Sequence, residues 1–457
     1  MHDTVRTNKR RGGGKPRGGR RPSRPAAPRD DFAAPQPLTP ALPPAASFQE
    51  LDLPVRLLET LGRQGLSTPS SIQSATLPDA LSGRDVLGRS QTGSGKTLAF
   101  GLPLLARLRG GSARPRYPRA LVLAPTRELA QQVTESLAPY ARSVGVRLAT
   151  VVGGMSLSRQ ARSLHQGVDL VVATPGRLRD LIERGDCLLD EVGATVLDEA
   201  DQMCDMGFMP QVTAILRQVP GDGQRMLFSA TLDRNVDALV RRFLQDPVVH
   251  SVDPSAGAVT TMEHHLLQVS AADKKATATR IAARDGRVIM FLDTKRAVNA
   301  MTEHLLASGV RAGRLHGGRS QPQRTRTLRQ FKDGEVTALV ATNVAARGIH
   351  VGGLDLVLNV DPPADHKDYL HRGGRTARAG ESGSVVTLVL PQQHREMARL
   401  MERAGIDARI AQVRPDDAEL ARITGARAPS GVPARVPEAA SASPAPRSSR
   451  GRRRPRR

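Results

Sequence analysis

The chain contains no tryptophan, three tyrosines and eight phenylalanines among 457 residues, so aromatics make up only 2%. That excludes a binding surface built mainly on rows of rings that stack single-stranded bases. Two cysteines, Cys187 and Cys204, cannot form a disulfide framework or a four-ligand zinc site. Long apolar runs are missing: stretches such as Ser384–Leu390 fall far short of the roughly 20 residues a membrane helix needs. Arg, Gly and Pro fill the N-terminus in place of an apolar signal core. Acids are in deficit, 44 against 67 Lys and Arg, which leaves a formal charge of +23. The expectation is a cytoplasmic protein with no membrane association whose charge suits a polyanion.

Hydrophobic residues, at 39%, are enough to bury a core, and the length suits two or three domains. Residues 1–47 carry a net +7 and residues 425–457 a net +8, so the ends hold most of the excess charge. Both ends are rich in Pro, Gly, Ala and Ser without an apolar period, and are expected to be disordered basic tails. Runs such as Arg17–Arg21 and Arg450–Arg457 suit electrostatic tethering to nucleic acid, against the alternative of a solubilising tail.

Between the tails, short apolar runs alternate with helical stretches. Strands are predicted at Asp85–Gly88, Ala120–Ala124, Leu148–Val152, Leu170–Ala173, Thr195–Leu197 and Met226–Ser229. A second set follows at Val288–Leu292, Val310–Leu315, Ala338–Ala341, Asp355–Val360 and Ser384–Leu390. Continuous apolar strands separated by helices indicate parallel sheets covered on both faces. The reading is α/β: two doubly wound parallel-sheet domains, 48–255 and 262–415, joined by a polar stretch near Asp253–Thr261. Ligands of such sheets bind at the carboxyl ends of the strands.

Strand Asp85–Gly88 runs into Ser90-Gln91-Thr92-Gly93-Ser94-Gly95-Lys96-Thr97 and then a helical stretch, Leu98–Leu108. Glycines there let backbone N–H groups close on phosphate oxygens, Lys96 reaches the β/γ-phosphates, and the Thr97 hydroxyl suits Mg²⁺. The general pattern begins with Gly, where this chain has Ser90. Strand Thr195–Leu197 ends in Asp198-Glu199-Ala200-Asp201. Asp198 at a buried strand end can hold Mg²⁺, and Glu199 can polarise an attacking water. Nucleoside triphosphate hydrolysis is the expected chemistry.

The ordered set of motifs from roughly Phe48 to Pro391 resembles a DEAD-box RNA helicase. Gly65–Gln73 with the upstream Phe48 is similar to the segment that selects adenine. Pro125-Thr126-Arg127-Glu128-Leu129-Ala130, Gly153-Gly154 and Thr174-Pro175-Gly176-Arg177 follow predicted strands, as does Ser229-Ala230-Thr231. The second half adds Phe291–Lys295, Leu315–Gly318 with Gln321 and Arg324, Ala341–Ile349, and Tyr369–Arg378. The resemblance implies two tandem RecA-like lobes and an RNA-stimulated ATPase that unwinds short duplexes locally or remodels ribonucleoprotein. It implies ATP and Mg²⁺ as cofactors, RNA gripped by its backbone, and a monomer.

By the same resemblance Lys96, Asp198, Glu199, Arg375 and Arg378 are catalytic, the last two as arginine fingers. Phe48, Gln73, Gln91 to Thr97 (Thr92, Gly93, Ser94 and Gly95 among them) and Gly348 hold nucleotide; Asp201, Ser229, Thr231 and His371 couple the lobes. Pro125, Thr126, Arg127, Gly153, Gly154, Thr174, Pro175, Gly176, Arg177, Thr294, Gln321, Arg324 and Thr342 meet RNA. The chain departs from the family at His350 and Asn343, where Asp is usual. An imidazole at 350 offers no carboxylate acceptor, so weaker or pH-sensitive ATP-driven closure is expected. Two other readings stand beside this one: a DNA-directed helicase of the wider two-lobe superfamily, and a non-catalytic RNA-annealing scaffold.

Overall fold

The computed structural model describes residues 40–90, 93–232, 234–252, 262–346, 353–376 and 382–436. The first lobe holds strands β1 (Val86–Arg89), β2 (Ala120–Leu123), β3 (Leu148–Val151), β4 (Leu170–Ala173), β5 (Ala194–Asp198), β6 (Gln224–Ser229) and β7 (Val248–Ser251). The second holds β8 (Met262–Gln268), β9 (Val288–Phe291), β10 (Ala312–Leu315), β11 (Ala338–Ala341), β12 (Leu356–Asn359), β13 (Gly383–Val389) and β14 (Arg409–Gln412).

Both sheets are parallel throughout, in the orders β3-β4-β2-β5-β6-β1-β7 and β10-β11-β9-β12-β13-β8-β14. The second order is the first repeated strand for strand. β2, β4, β5, β6, β9, β11 and β12 are buried along their whole length, because helices cover both faces. Each sheet therefore separates two hydrophobic clusters, one on either face.

The predicted strands lie within a residue or two of these, while β7, β8 and β14 were not predicted. The polar stretch 253–261 lies outside the described residues, as do residues 1–39 and 437–457 of the tails. The inner parts of the predicted tails are packed, however. Ala45 donates its N–H to Ser74 O (3.0 Å), and Leu42 N–H points at both oxygens of buried Asp79 (3.3 Å each). Beyond helix Ala418–Thr424 the chain crosses the base of the second lobe. Arg427, Gly431 and Ala434 donate N–H groups to the carbonyls of Arg280 (3.1 Å), Ser308 (3.0 Å) and Leu306 (2.8 Å). Backbone pairing thus seats segments whose composition reads as tail. Among the described residues no helix is long and apolar enough to cross a membrane.

Candidate nucleotide and RNA site

The expected cleft lies where β1 and β5 end. Helix Lys96–Leu108 follows the phosphate loop, and its cap, Gly95, has φ +98. A Cβ there would stand 2.6 Å from Gln73 Nε2 and 2.7 Å from Ser70 Oγ, so only glycine fits. Lys96, 6% exposed, places Nζ 3.1 Å from Glu199 Oε1 and 3.2 Å from Ser90 O. Burial pulls the ammonium pKa down, but the charges of Glu199, Asp198 and Asp201 outweigh it and hold the pKa above the ordinary value.

Glu199 sits at φ +53, ψ +53, left-handed for a residue with a side chain. Such a conformation costs about 1–3 kcal/mol and persists where surrounding structure imposes it. Here β5 ends and helix Ala200–Asp205 begins, and the twist turns the carboxylate towards Lys96. Asp198 is 3% exposed, and its Oδ1 has no hydrogen-bond partner among the described residues. Burial, offset in part by Lys96, pushes its pKa up to about 7. A buried carboxylate oxygen without a partner among the described residues suits a hard divalent cation, and Thr97, in the first turn of helix Lys96–Leu108, is a second oxygen donor of the right kind.

Asp201 is fully buried and heavily bonded. Its Oδ2 accepts from the Thr231 N–H and hydroxyl (2.8 Å each), its Oδ1 accepts from Gln202 N–H (2.9 Å), and its own N–H donates to Ser229 Oγ (3.2 Å). Nε2 of His371, from the second lobe, lies 3.8 Å from Oδ2, a charge contact rather than a hydrogen bond. Burial raises this carboxyl, but His371, Lys96 and Thr231 outweigh it and hold it below the usual range.

His371 lies in helix His366–Gly373. Arg375 follows that helix in a turn, 3% exposed, with Nε donating to His371 O (3.0 Å). Arg372 is buried: it donates to Asp361 O (2.9 Å) and lies 5.2 Å over the Phe291 ring. Gln91, Thr92, Arg347, Gly348, His350 and Arg378 lie outside the described residues.

Phe48 and Gln73, assigned to the adenine site by resemblance, both have partners within the first lobe. Phe48 is 1% exposed within the hydrophobic core of the first lobe, so its ring already has a full set of neighbours. Gln73 accepts from Ser70 N–H (2.9 Å) and donates to Gly95 O (3.0 Å), which fixes the orientation of its amide and leaves one N–H and one oxygen lone pair over.

The segments expected to meet RNA recur at equivalent strand ends. Thr126 follows β2 and Thr294 follows β9, and each caps the next helix by accepting an N–H, from Leu129 (3.2 Å) and Ala297 (3.1 Å). Gly153-Gly154 follows β3 as Gly317-Gly318 follows β10; Thr174-Pro175-Gly176-Arg177 follows β4 as Thr342 follows β11. The Arg127 guanidinium lies against Gly154, where a Cβ would come within 2.1 Å of Nη1. Glu128, to which the sequence reading gave no role, is 5% exposed and accepts from Gln321 Nε2 (2.9 Å) and Arg324 Nη2 (2.9 Å) of the second lobe. Only its charge beside two lobe-two donors reveals it, and sequence does not display that pairing.

Tandem parallel sheets of one topology, with a glycine-rich loop after the first strand and an acidic pair after the fifth, define a two-lobed nucleotide triphosphatase fold. The DEAD/DEAH box helicase profile matches residues 70–239, and the helicase conserved C-terminal domain profile matches residues 273–380. The chain is 39% identical over 366 residues to the DEAD-box ATP-dependent RNA helicase CshA of Geobacillus kaustophilus, covering 78% of each chain. It is 38% identical over 361 residues to the protein of the same name from Bacillus subtilis, covering 78% of this chain and 72% of that one. Among solved structures, S. cerevisiae Dbp5 bound to RNA and ADP BeF3 superposes with a TM-score of 0.75 at 30% identity, over 83% of this chain and 99% of that one. The chain belongs to the DEAD-box helicases.

Proposed function

We propose that the protein is an ATP-dependent RNA helicase that uses ATP hydrolysis for local, non-processive opening of short RNA duplexes or remodelling of ribonucleoprotein. The observation that carries this reading is the recurrence of backbone-gripping segments at matching strand ends in both lobes, beside a nucleotide loop that only the first lobe possesses. Free N–H groups at strand ends and helix starts suit phosphate oxygens and carry no sequence preference. We take the acting form to be a cytoplasmic monomer, with domains at 48–255 and 262–415 extended by the packed segments described above.

In this reading ATP is held by Gln73, Gly93, Ser94, Gly95, Lys96 and Thr97, with Gln91, Thr92 and Gly348 assigned by resemblance. Thr97 and Asp198 would hold Mg²⁺, which when bound neutralises phosphate charge. Phosphate draws Lys96 away from Glu199 and leaves that carboxylate to orient the attacking water. RNA seated on Pro125–Arg127, Gly153-Gly154, Thr174–Arg177, Thr294 and Thr342 favours the closed arrangement, in which Glu128 holds Gln321 and Arg324. His371 then stands beside Asp201, and Arg375 (with Arg378 by resemblance) serves the γ-phosphate. An arginine of this kind is worth about 10³–10⁵ in turnover. Base stacking of about 1.4 kcal/mol per step limits strand bending to short duplexes.

The test is ATPase activity with and without RNA in the wild type and Glu199→Gln. Strong stimulation by RNA, lost in the variant, is expected. Full activity without polymer, or stimulation by DNA alone, refutes it.

A further inference from the structure

The first lobe carries a basic surface that the site above does not use. Helix Leu157–His165 starts beside Gly153-Gly154 at the carboxyl end of β3 and runs down to the base of the sheet, about 14 Å away at 1.5 Å per residue. Arg159 and Arg162, one turn apart on its outer face, are both exposed. No Asp or Glu occurs from Gly153 to Val168.

At the base the helix meets the loop 109–119, which carries Arg109, Arg114, Arg116 and Arg119 and no acid. Arg116 is locked against the helix end in a left-handed conformation, φ +72. Its N–H donates to Leu164 O (2.8 Å), its carbonyl accepts from Leu188 N–H (2.8 Å), and Nη1 donates to Gly185 O (3.2 Å). Arg114 lies 4.4 Å over the Tyr117 ring and pairs with Glu191.

Of the acids around this surface, exposed Asp190 lies next to the Arg114 partner Glu191, and three others are engaged. Asp169 is buried and accepts from Ala113 and Arg147 N–H groups, Asp186 holds His165 and Arg184, and Asp180 pairs with Arg177. A strained, tightly bonded loop that presents arginines outward is a built feature of the surface and not a loose end.

We propose that a flanking segment of the same RNA lies along this track, from the grip at Gly153-Gly154 past Arg159 and Arg162 to Arg116, held by phosphate contacts alone. The proposal rests on the RNA-binding reading above and extends it to a site outside the cleft. The helix alone spans about four phosphates at about 3.4 Å per residue of one strand. Such contacts hold the RNA whatever its sequence and in either nucleotide state, since neither lobe closure nor ATP enters them.

The test compares wild type with Arg116→Ser/Arg159→Ser/Arg162→Ser, and with the same three positions changed to Lys. Two single-stranded RNAs serve as probes: one just long enough to saturate the RNA-stimulated ATPase, and the same strand lengthened at both ends by about eight nucleotides, twice the helix span. Wild type is expected to bind the longer strand more tightly and with a steeper salt dependence. The Ser variant loses that gain, its salt slope for the longer strand falling by about 2, or 0.7 for each of three lost contacts. The Lys variant keeps it. ATPase stimulated by the short strand is unchanged in all three proteins. A Ser variant that binds the longer strand with wild-type affinity and salt slope overturns the track. Absence of stimulation by the short strand in wild type overturns the helicase reading instead.

Discussion

Glu128 offers the sharpest test of how the lobes communicate. Its carboxylate, buried in the closed arrangement, is shared by Gln321 and Arg324 at 2.9 Å each. At that distance and an effective dielectric of 20, the Arg324 attraction is about 6 kcal/mol before desolvation. Removing one partner of a buried pair costs about 3–5 kcal/mol, because the survivor is left without compensation. Arg324 recovers water when the lobes part, so the penalty of Glu128→Ala falls on the closed state. We expect about 3 kcal/mol, a loss of about 150-fold in the closure equilibrium at 1.36 kcal/mol per decade. The assay is steady-state ATPase against RNA concentration, alongside binding of a nucleotide analogue without RNA. RNA-stimulated turnover should fall about a hundredfold while nucleotide affinity without RNA stays put, since the Glu128 carboxylate is held by Gln321 and Arg324 of the second lobe. Glu128→Gln, which keeps an acceptor but no charge, should fall between. Wild-type stimulation in Glu128→Ala would refute the clasp, and equal loss of nucleotide affinity would assign Glu128 to the first lobe's own integrity.

Other outcomes follow from single contacts. His264 Nδ1 lies 2.7 Å from Tyr369 Oη, and burial with the neighbouring His265 charge pulls its pKa down to about 4. A lowered histidine binds fewer protons folded than unfolded, so its contribution is present above about pH 6.5 and is lost as pH falls towards 4. Urea unfolding should show stability dropping by up to about 3 kcal/mol across that window, and His264→Gln, which keeps a partner for Tyr369, should flatten that part of the profile. Gly309→Ala should unseat the segment 425–436: with φ +94, its Cβ would meet Ser430 Oγ and, at 2.7 Å, Val432 O. Limited proteolysis should then cut that segment faster, with a stability loss of about 1–3 kcal/mol. Gly95→Ala should raise the KM for ATP at least about tenfold, from left-handed strain of about 1–2 kcal/mol added to the clash with Gln73; an unchanged KM would show that the loop adopts another shape with nucleotide.

Most of the fold was legible because strands buried on both faces must be continuously apolar, and Leu121-Val122-Leu123 or Val171-Val172 can hardly be anything else. The strands that escaped lack that pressure. β14 is a sheet edge with Arg409, Ile410 and Gln412 exposed, and β8 opens with Met262-Glu263-His264 before its buried Leu266-Leu267. Segment 425–436 escaped for another reason: its partners are carbonyls of Arg280, Leu306 and Ser308, groups every residue owns and no composition reveals. At the site, the residue types were legible and their commitments were not. Gln73 reads as a base-reading amide, and nothing in its type shows that Ser70 and Gly95 fix its orientation. Glu128 reads as part of a helix start, and its partners come from almost two hundred residues further along.

The repeated topology explains why one chain needs both lobes. The ends of β2, β3 and β4 match those of β9, β10 and β11 in chemistry as well as place, so under the proposed function a single backbone would be gripped twice by the same kind of N–H array. The symmetry breaks at the strands that matter for nucleotide. β8, equivalent to β1, ends in Val269-Ser270 with no glycine loop, and β12, equivalent to β5, runs into Val360-Asp361. Asp361 is occupied within its own lobe by Lys274 Nζ (2.7 Å) and Asp293 N–H (3.2 Å). The second lobe therefore cannot hold phosphates on its own account. What it can do is complete the first: among the described residues Gln321 and Arg324 reach Glu128 and His371 stands near Asp201, with Gln321 Oε1 also accepting from Arg127 Nη1 (3.4 Å). Since Glu128 stands one residue from Arg127, and Asp201 three from Asp198, the proposed function makes those carboxylates the place where occupancy of either site would be felt as a change in how tightly the lobes hold together.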